Sequence, residues 1–227
     1  MEDITAILVD GGFYTKRAQI LFGRKTPEER ADELFTYCLL HIKDGTKDRP
    51  RSLYRIFYYD CPPSDKFIFH PLKGNVNLKK SETYKWSNEF LKALQGKRKV
   101  AIRLGRLAET GHGYTLTSDA VKKICAKKLS VDELKDSDFS IEMRQKGVDM
   151  KLGIDIAHLA YKRLATQIIL ISGDSDFVPA AKLARREGID FILDSMDSHI
   201  SDDLLTHIDG RRSHWHDKRI ITPADFA

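Results

Sequence analysis

The sequence predicts a single α/β domain: a mostly parallel, doubly wound sheet with helices on both faces. Three observations lead there. Short unbroken apolar runs, such as residues 4–9 and 168–171, stop abruptly at glycines and acids, and such runs suit strands buried on both faces. Amphipathic stretches alternate with them, as helical crossovers between parallel strands require. The length of 227 residues suits one core better than two.

The first strand, residues 4–9, is closed by Asp10-Gly11-Gly12. Leu34, Tyr37, Cys38 and His41 recur at helical spacing and predict a helix over 27–42. Residues 53–59, rich in aromatics, form the second strand, which Asp60-Cys61-Pro62-Pro63 ends because paired prolines forbid further ladder bonds. Three prolines, Gly74 and two asparagines make 62–80 an irregular excursion. Ser81 caps a helix running to about Gln95, and a third strand follows over 100–104. Residues 118–135 read as a basic helical insertion carrying Lys122, Lys123, Lys127 and Lys128. After Gly147 a long helix begins near Asp149, with Leu152, Ile156, Leu159 and Leu164 on one side. The strand at 168–171, a helix over 177–186 and a strand over 190–193 complete the alternation. A polar tail starts at about 210, so residues 1–227 read as one domain.

Thirty-eight Lys and Arg against 33 Asp and Glu give a net charge of +5, with 41% hydrophobic and 31% charged residues. That composition excludes disorder, collagen-like repeats and a disulfide scaffold. No apolar run approaches the roughly 18 residues of a membrane-spanning helix, and the acidic N-terminus is unlike a secretion signal. Cys38, Cys61 and Cys125 are odd in number and lack CxxC spacing, which argues against disulfides and zinc and for a cytoplasmic location.

In an open parallel sheet, ligands gather beyond the carboxyl ends of the strands, where strand order reverses. Two such ends here are acidic. Asp10 closes the first strand, and Asp174 and Asp176 follow the strand at 168–171 within Ser172-Gly173-Asp174-Ser175-Asp176. Asp149 opens the long helix just upstream. If the first strand and the 168–171 strand are neighbours, the four carboxylates converge. Crowded carboxylates stay ionised most readily around a divalent cation, and an all-oxygen donor set selects Mg²⁺ or Mn²⁺. A blander reading stands beside this one, since Asp10, Asp149 and Asp174 each occupy a place where an acid commonly caps a helix or starts a turn. Asp176 is the second acid of its turn, and one cap does not use both.

Three segments, Ile7-Leu8-Val9-Asp10-Gly11-Gly12-Phe13, Lys146-Gly147-Val148-Asp149 and Ser172-Gly173-Asp174-Ser175-Asp176-Phe177, resemble the acidic motifs of the NYN domain family. These are PIN-like ribonucleases that include the LabA-like proteins. Tyr58-Tyr59-Asp60-Cys61-Pro62-Pro63 and residues 97–105 are similar to bacterial members, so the likeness runs from about residue 4 to 195. The resemblance implies a PIN-like sheet and hydrolysis of RNA phosphodiester bonds by a two-metal-ion mechanism, with Asp10, Asp149, Asp174 and Asp176 as the catalytic, metal-binding acids. It also gives Asp155 and Ser172 supporting places behind those acids. Gly12 and Phe13 occupy a stretch where family members often carry Asn, so one side-chain contact to substrate is expected to be missing.

The expected function is therefore that of a Mg²⁺- or Mn²⁺-dependent ribonuclease acting on single-stranded RNA. Setting aside Asp155 and the four acids leaves 28 acids against 38 bases, an excess of ten that attracts a polyanion. Lys146, Arg103 and Arg106 are the candidate RNA contacts. The alternative is an RNA-binding or scaffolding module whose acids serve no catalysis. Other chemistries fit poorly: the glycines at 105, 111 and 113 make no dinucleotide fingerprint, no nucleophile elbow is present, and His214-Trp215-His216-Asp217 reads as tail.

Overall fold

The computed structural model describes residues 3–43, 51–109, 111–216 and 219–220. In chain order they form β1 (Asp3–Asp10), α1 (Gly11–Phe22), α2 (Pro27–Lys43), β2 (Arg51–Asp60), β3 (Phe67–His70), β4 (Gly74–Asn77), α3 (Glu82–Gln95) and β5 (Val100–Leu104). There follow β6 (Arg106–Leu107), β7 (Gly113–Leu116), α4 (Ser118–Cys125), β8 (Phe139–Glu142), β9 (Gln145–Lys146), α5 (Val148–Tyr161) and β10 (Gln167–Ile171). The last elements are α6 (Val178–Arg186), β11 (Asp190–Asp194), α7 (Asp202–Thr206), β12 (Gly210–Arg211), β13 (Trp215–His216) and β14 (Arg219–Ile220).

Two compact units emerge. The first comprises residues 1–60, 89–105 and 147–227; the second comprises 61–88 and 106–146. In the first, six parallel strands lie in the order β12-β11-β10-β1-β2-β5. This is the α/β, PIN-like arrangement the sequence predicts. All five residues of β10 are buried, and because successive side chains point to opposite faces, both faces of the sheet are covered. The chain starts at the centre with β1, moves outward through β2 and β5, and returns beside β1 as β10. Strand order therefore reverses between β1 and β10, which pair with Val9 opposite Ile171.

Four local expectations need correction. Residues 11–22 form α1, for which no helix was expected; its buried positions include Gly11 and Ala18, too small to draw an apolar stripe. The stretch 62–80 is not irregular, since β3 and β4 make an antiparallel hairpin with Phe67 opposite Asn77 and His70 opposite Gly74. The basic helix stops at Cys125, because Lys127 takes a left-handed conformation (φ 56°) and the Lys128 amide bonds back to the Lys123 carbonyl. Arg163 (φ 52°) ends α5 the same way, leaving Leu164 outside the helix with its amide on the Leu159 carbonyl.

The polar tail is also part of the fold at its start. Gly210–Arg211 adds an edge strand to β11, and Ser213 donates to the buried Asp194 carboxylate at 2.6 Å. The His214 amide bonds the Tyr37 hydroxyl, and its ring meets that of His41 edge-on at 4.4 Å. Residues 217–218 and 221–227 lie outside the described residues.

The second unit has its own small core. On the inner face of β3, Ile68 and His70 are buried, and the His70 ring packs against Tyr114 and Phe139 at 4.3 and 5.1 Å. The three cysteines are free thiols, Cys38 and Cys61 buried and Cys125 exposed.

Candidate active site

The β1–β10 pairing brings Asp10 beside the Ser172–Asp176 turn. Asp10 caps α1, its Oδ1 accepting from the Phe13 amide at 3.0 Å. Its Oδ2 accepts from the buried Ser172 hydroxyl at 3.1 Å, and the Ser172 Oγ in turn accepts from the Asp174 amide at 3.3 Å. Asp174 caps the single turn Ser175–Phe177 by accepting from the Asp176 amide at 2.9 Å. One chain of hydrogen bonds thus runs from the end of β1 through Ser172 to the acidic turn.

Asp149 and Asp176 behave differently. Asp149 stands in the first turn of α5, whose cap residue is Gly147 and carries no side chain. Among the described residues no donor reaches the Asp149 or Asp176 carboxylate, so neither side chain is acting as a cap. Burial raises the Asp149 carboxyl above the ordinary value, and the charges of Asp10, Asp174 and Asp176 raise it further. Asp10 is raised as well, first by burial and then by Asp174, against the lowering effect of the Phe13 and Ser172 hydrogen bonds. The four acids therefore share one electrostatic environment at the strand-order reversal.

Two glycines are dictated by close packing. A Cβ on Gly11 would stand 2.5 Å from the Tyr58 ring and 2.7 Å from the Tyr59 carbonyl oxygen. One on Gly173 would stand 2.8 Å from Phe13. Phe13, which occupies the stretch where Asn is common in the family, thus lies against the acidic turn and holds it to the start of α1.

Asp155, in the middle of α5, has partners of its own. Its Oδ2 accepts from the Tyr59 hydroxyl at 2.7 Å and from Arg103 Nε at 3.1 Å. The Arg103 guanidinium also lies 5.2 Å from the centre of the Phe57 ring. Arg103 is thereby engaged within the protein, and Asp155 has the partner that a half-buried carboxylate needs. Arg106 and Lys146 belong to the second unit, where they face each other as cross-strand partners in β6 and β9, both exposed.

Sequence reasoning passed over two groups. The buried Tyr58 hydroxyl donates to Asp60 at 3.0 Å and lies 3.5 Å from Thr15 Oγ1. Burial pushes its pKa well above the ordinary tyrosine value, the charge of Asp60 raises it further, and the charge of Asp10 adds a smaller rise. Its signal was the Tyr58-Tyr59-Asp60 ending of β2. The second group is Asp194, which ends β11 opposite Ile171. It is fully buried and accepts from Tyr37 (2.6 Å), His41 (3.0 Å), Ser213 (2.6 Å) and the Met196 amide (2.8 Å). Burial pushes this carboxyl up, but the His41 hydrogen bond and charge, with Ser213 and Tyr37, hold it below the ordinary range. Its carbonyl accepts from the Ser172 amide at 3.2 Å, so the network braces the base of the acidic turn.

The family model for the NYN domain matches residues 88–210, more than half of the chain and inclusive of Asp149, Asp174 and Asp176. The chain belongs to the NYN domain family. Asp10 lies upstream of the match and reaches the other acids through the β1–β10 pairing. A crystal structure of a protein of unknown function from Vibrio parahaemolyticus RIMD 2210633 has a similar fold, with a TM-score of 0.51 at 13% identity over 96% of each chain. No curated protein matches. The NYN family is nuclease-like and PIN-related.

Four carboxylates with no His or Cys are the donor type that a hard divalent cation takes; two of them have no hydrogen-bond donor among the described residues, and Asp149 is under the repulsion of the other three. Among the described residues no three His, Cys, Asp or Glu side chains stand close enough to hold an ion as they are. Like-charge repulsion opposes closer approach until a cation enters such a cluster. No helix among the described residues is long and apolar enough to cross a membrane.

Proposed function

We propose that this protein is a Mg²⁺- or Mn²⁺-dependent ribonuclease that hydrolyses phosphodiester bonds of single-stranded RNA in the cytoplasm. The observation that carries the reading is the hydrogen-bond chain that ties Asp10 through Ser172 to the Asp174 turn at the reversal of strand order, where the neighbouring acids also raise Asp149. These four side chains would hold a pair of ions. A divalent cation held there would supply Lewis-acid polarisation of the phosphodiester and would lower the pKa of nearby water.

The chain's own residues prepare that site. Ser172 fixes the Asp10 carboxylate by donating to Oδ2, leaving the orientation of both acids tied to the same turn. Phe13 packs against Gly173 and keeps the turn at the head of α1. The α1 and α5 N-termini add the positive ends of two helix dipoles, which favour ionised carboxylates nearby. The excess of basic residues elsewhere draws in the RNA backbone. Free thiols at Cys38, Cys61 and Cys125 suit a reducing compartment.

A second reading, RNA binding without cleavage, draws on the caps made by Asp10 and Asp174. Metal titration separates the two. A nuclease gains thermal stability with millimolar Mn²⁺ and turns over single-stranded RNA under the same conditions; a binding module retains RNA without cutting it.

A further inference from the structure

We propose that the outward face of the β3–β4 hairpin is a stacking platform for the bases of single-stranded RNA. Phe67 and Phe69 are 67% and 64% exposed, on a strand whose alternate residues, Ile68 and His70, are buried. Residues two apart on a strand share a face and lie about 7 Å from each other, which leaves room for one base against each ring. The register places Asn77 across from Phe67 and Asn75 across from Phe69 on that same face. Two aromatic planes thus stand beside two amides able to donate to and accept from base edges.

Charge selects the occupant. From Lys66 to Lys80 the chain carries four lysines and no acid. Lys66 Nζ donates to the Ala108 and Glu109 carbonyls and Lys73 pairs with Asp136 at 2.6 Å, whereas among the described residues Lys79 and Lys80 have no side-chain partner. An apolar face followed directly in the chain by Lys79 and Lys80, which have no acidic partner among the described residues, is complementary to a chain that offers both π-faces and phosphates, which is how proteins hold single strands without reading sequence. Leu72, 51% exposed at the turn, extends the surface. A duplex hides its base faces and does not satisfy such a platform. The inference rests on the reading that RNA is the substrate, and it adds how the strand is held.

The test uses the intact protein in EDTA, with fluorescence anisotropy of three labelled probes: a ten-nucleotide oligouridylate, the same backbone with abasic residues, and a matched RNA duplex. The parent is expected to bind the oligouridylate at least tenfold tighter than the abasic strand. Phe67→Ala/Phe69→Ala removes that advantage while leaving the abasic affinity and the melting temperature unchanged, since both rings are exposed. Phe67→Trp/Phe69→Trp restores it. Equal affinity of parent and alanine variant for the oligouridylate, no base-dependent binding by the parent, or no RNA binding at all overturns the platform. A variant that loses binding to phosphatidylglycerol vesicles but not to RNA assigns the face to lipid instead. Cleavage is scored separately in Mn²⁺. A parent that binds through these rings yet never cuts refutes the nuclease reading and leaves the platform standing, whereas one that cuts without base-dependent binding refutes the platform alone.

Discussion

Replacing Asp10 by Asn and by Ala separates its two duties. As a cap, the side chain needs only an oxygen acceptor, and Asn serves nearly as well as Asp at that position. As a metal-binding acid it needs its charge. Asp10→Ala loses the cap to Phe13, worth about 1 kcal/mol, and the acceptor for Ser172, worth roughly 0.5–1.5 kcal/mol. The combined loss of about 1–3 kcal/mol lowers the melting temperature by roughly 2–12 °C for a chain of this size. Asp10→Asn keeps both bonds and should melt at or above the parent in EDTA at pH 7. The sign follows from the raised carboxyl. A folded-state value above the unfolded one means that ionisation favours unfolding, so stability is lost as pH rises through the folded value. Asn removes that loss, and its advantage fades as pH falls through the folded value towards the ordinary carboxylate range. Differential scanning fluorimetry from pH 4 to 8, beside a Mn²⁺-dependent RNA cleavage assay, reads both duties. Both variants should lose cleavage. An Asn variant as unstable as the Ala variant, or one that cuts at the parent's rate, refutes the division of roles.

Asp194→Asn should melt well below the parent at pH 7, because four donors lose or weaken their acceptor at a cost of roughly 4 kcal/mol in all. The depressed carboxyl supplies stability that is present at neutral pH and lost as pH falls through its folded value, so the gap between parent and variant must narrow below about pH 4 in a melting series. Gly11→Ala forces a Cβ against the Tyr58 ring and the Tyr59 backbone; overpacking of this kind costs about 1–3 kcal/mol, and chemical denaturation of the purified variant measures it.

Much of this architecture is legible in the chain because burial leaves the plainest signal. Runs such as Ile168-Ile169-Leu170-Ile171 and the acids that end them place the sheet and the reversal point, since a fully buried parallel strand admits little but apolar residues. The helix α1 was hidden for the opposite reason: Gly11 is small because Tyr58 fills its space, and Ile20 lies 66% exposed on the outer face. Helix ends at Lys127 and Arg163 carry no glycine to announce them. Pro71 does fall in the turn between β3 and β4, but the alternation of Phe67, Ile68, Phe69 and His70 is a strand pattern only when the partner strand is known. At the site, Asp10 and Asp174 are both caps and members of the acidic group, so no rule that treats these as exclusive fits either residue. The brace formed by Asp194, His41 and Ser213 joins residues more than 150 positions apart in part, and nothing local in the sequence links them.

The most direct measurement is cleavage of a 5′-labelled single-stranded RNA by EDTA-stripped protein to which Mn²⁺ is returned, run beside Asp149→Asn. Asp149 makes no cap and accepts no hydrogen bond among the described residues, so this variant should fold and melt like the parent or slightly above it. A metal-dependent ribonuclease yields cleavage that appears only with Mn²⁺ and disappears in Asp149→Asn. Intact RNA at all metal concentrations, or equal cleavage by parent and variant, would contradict it.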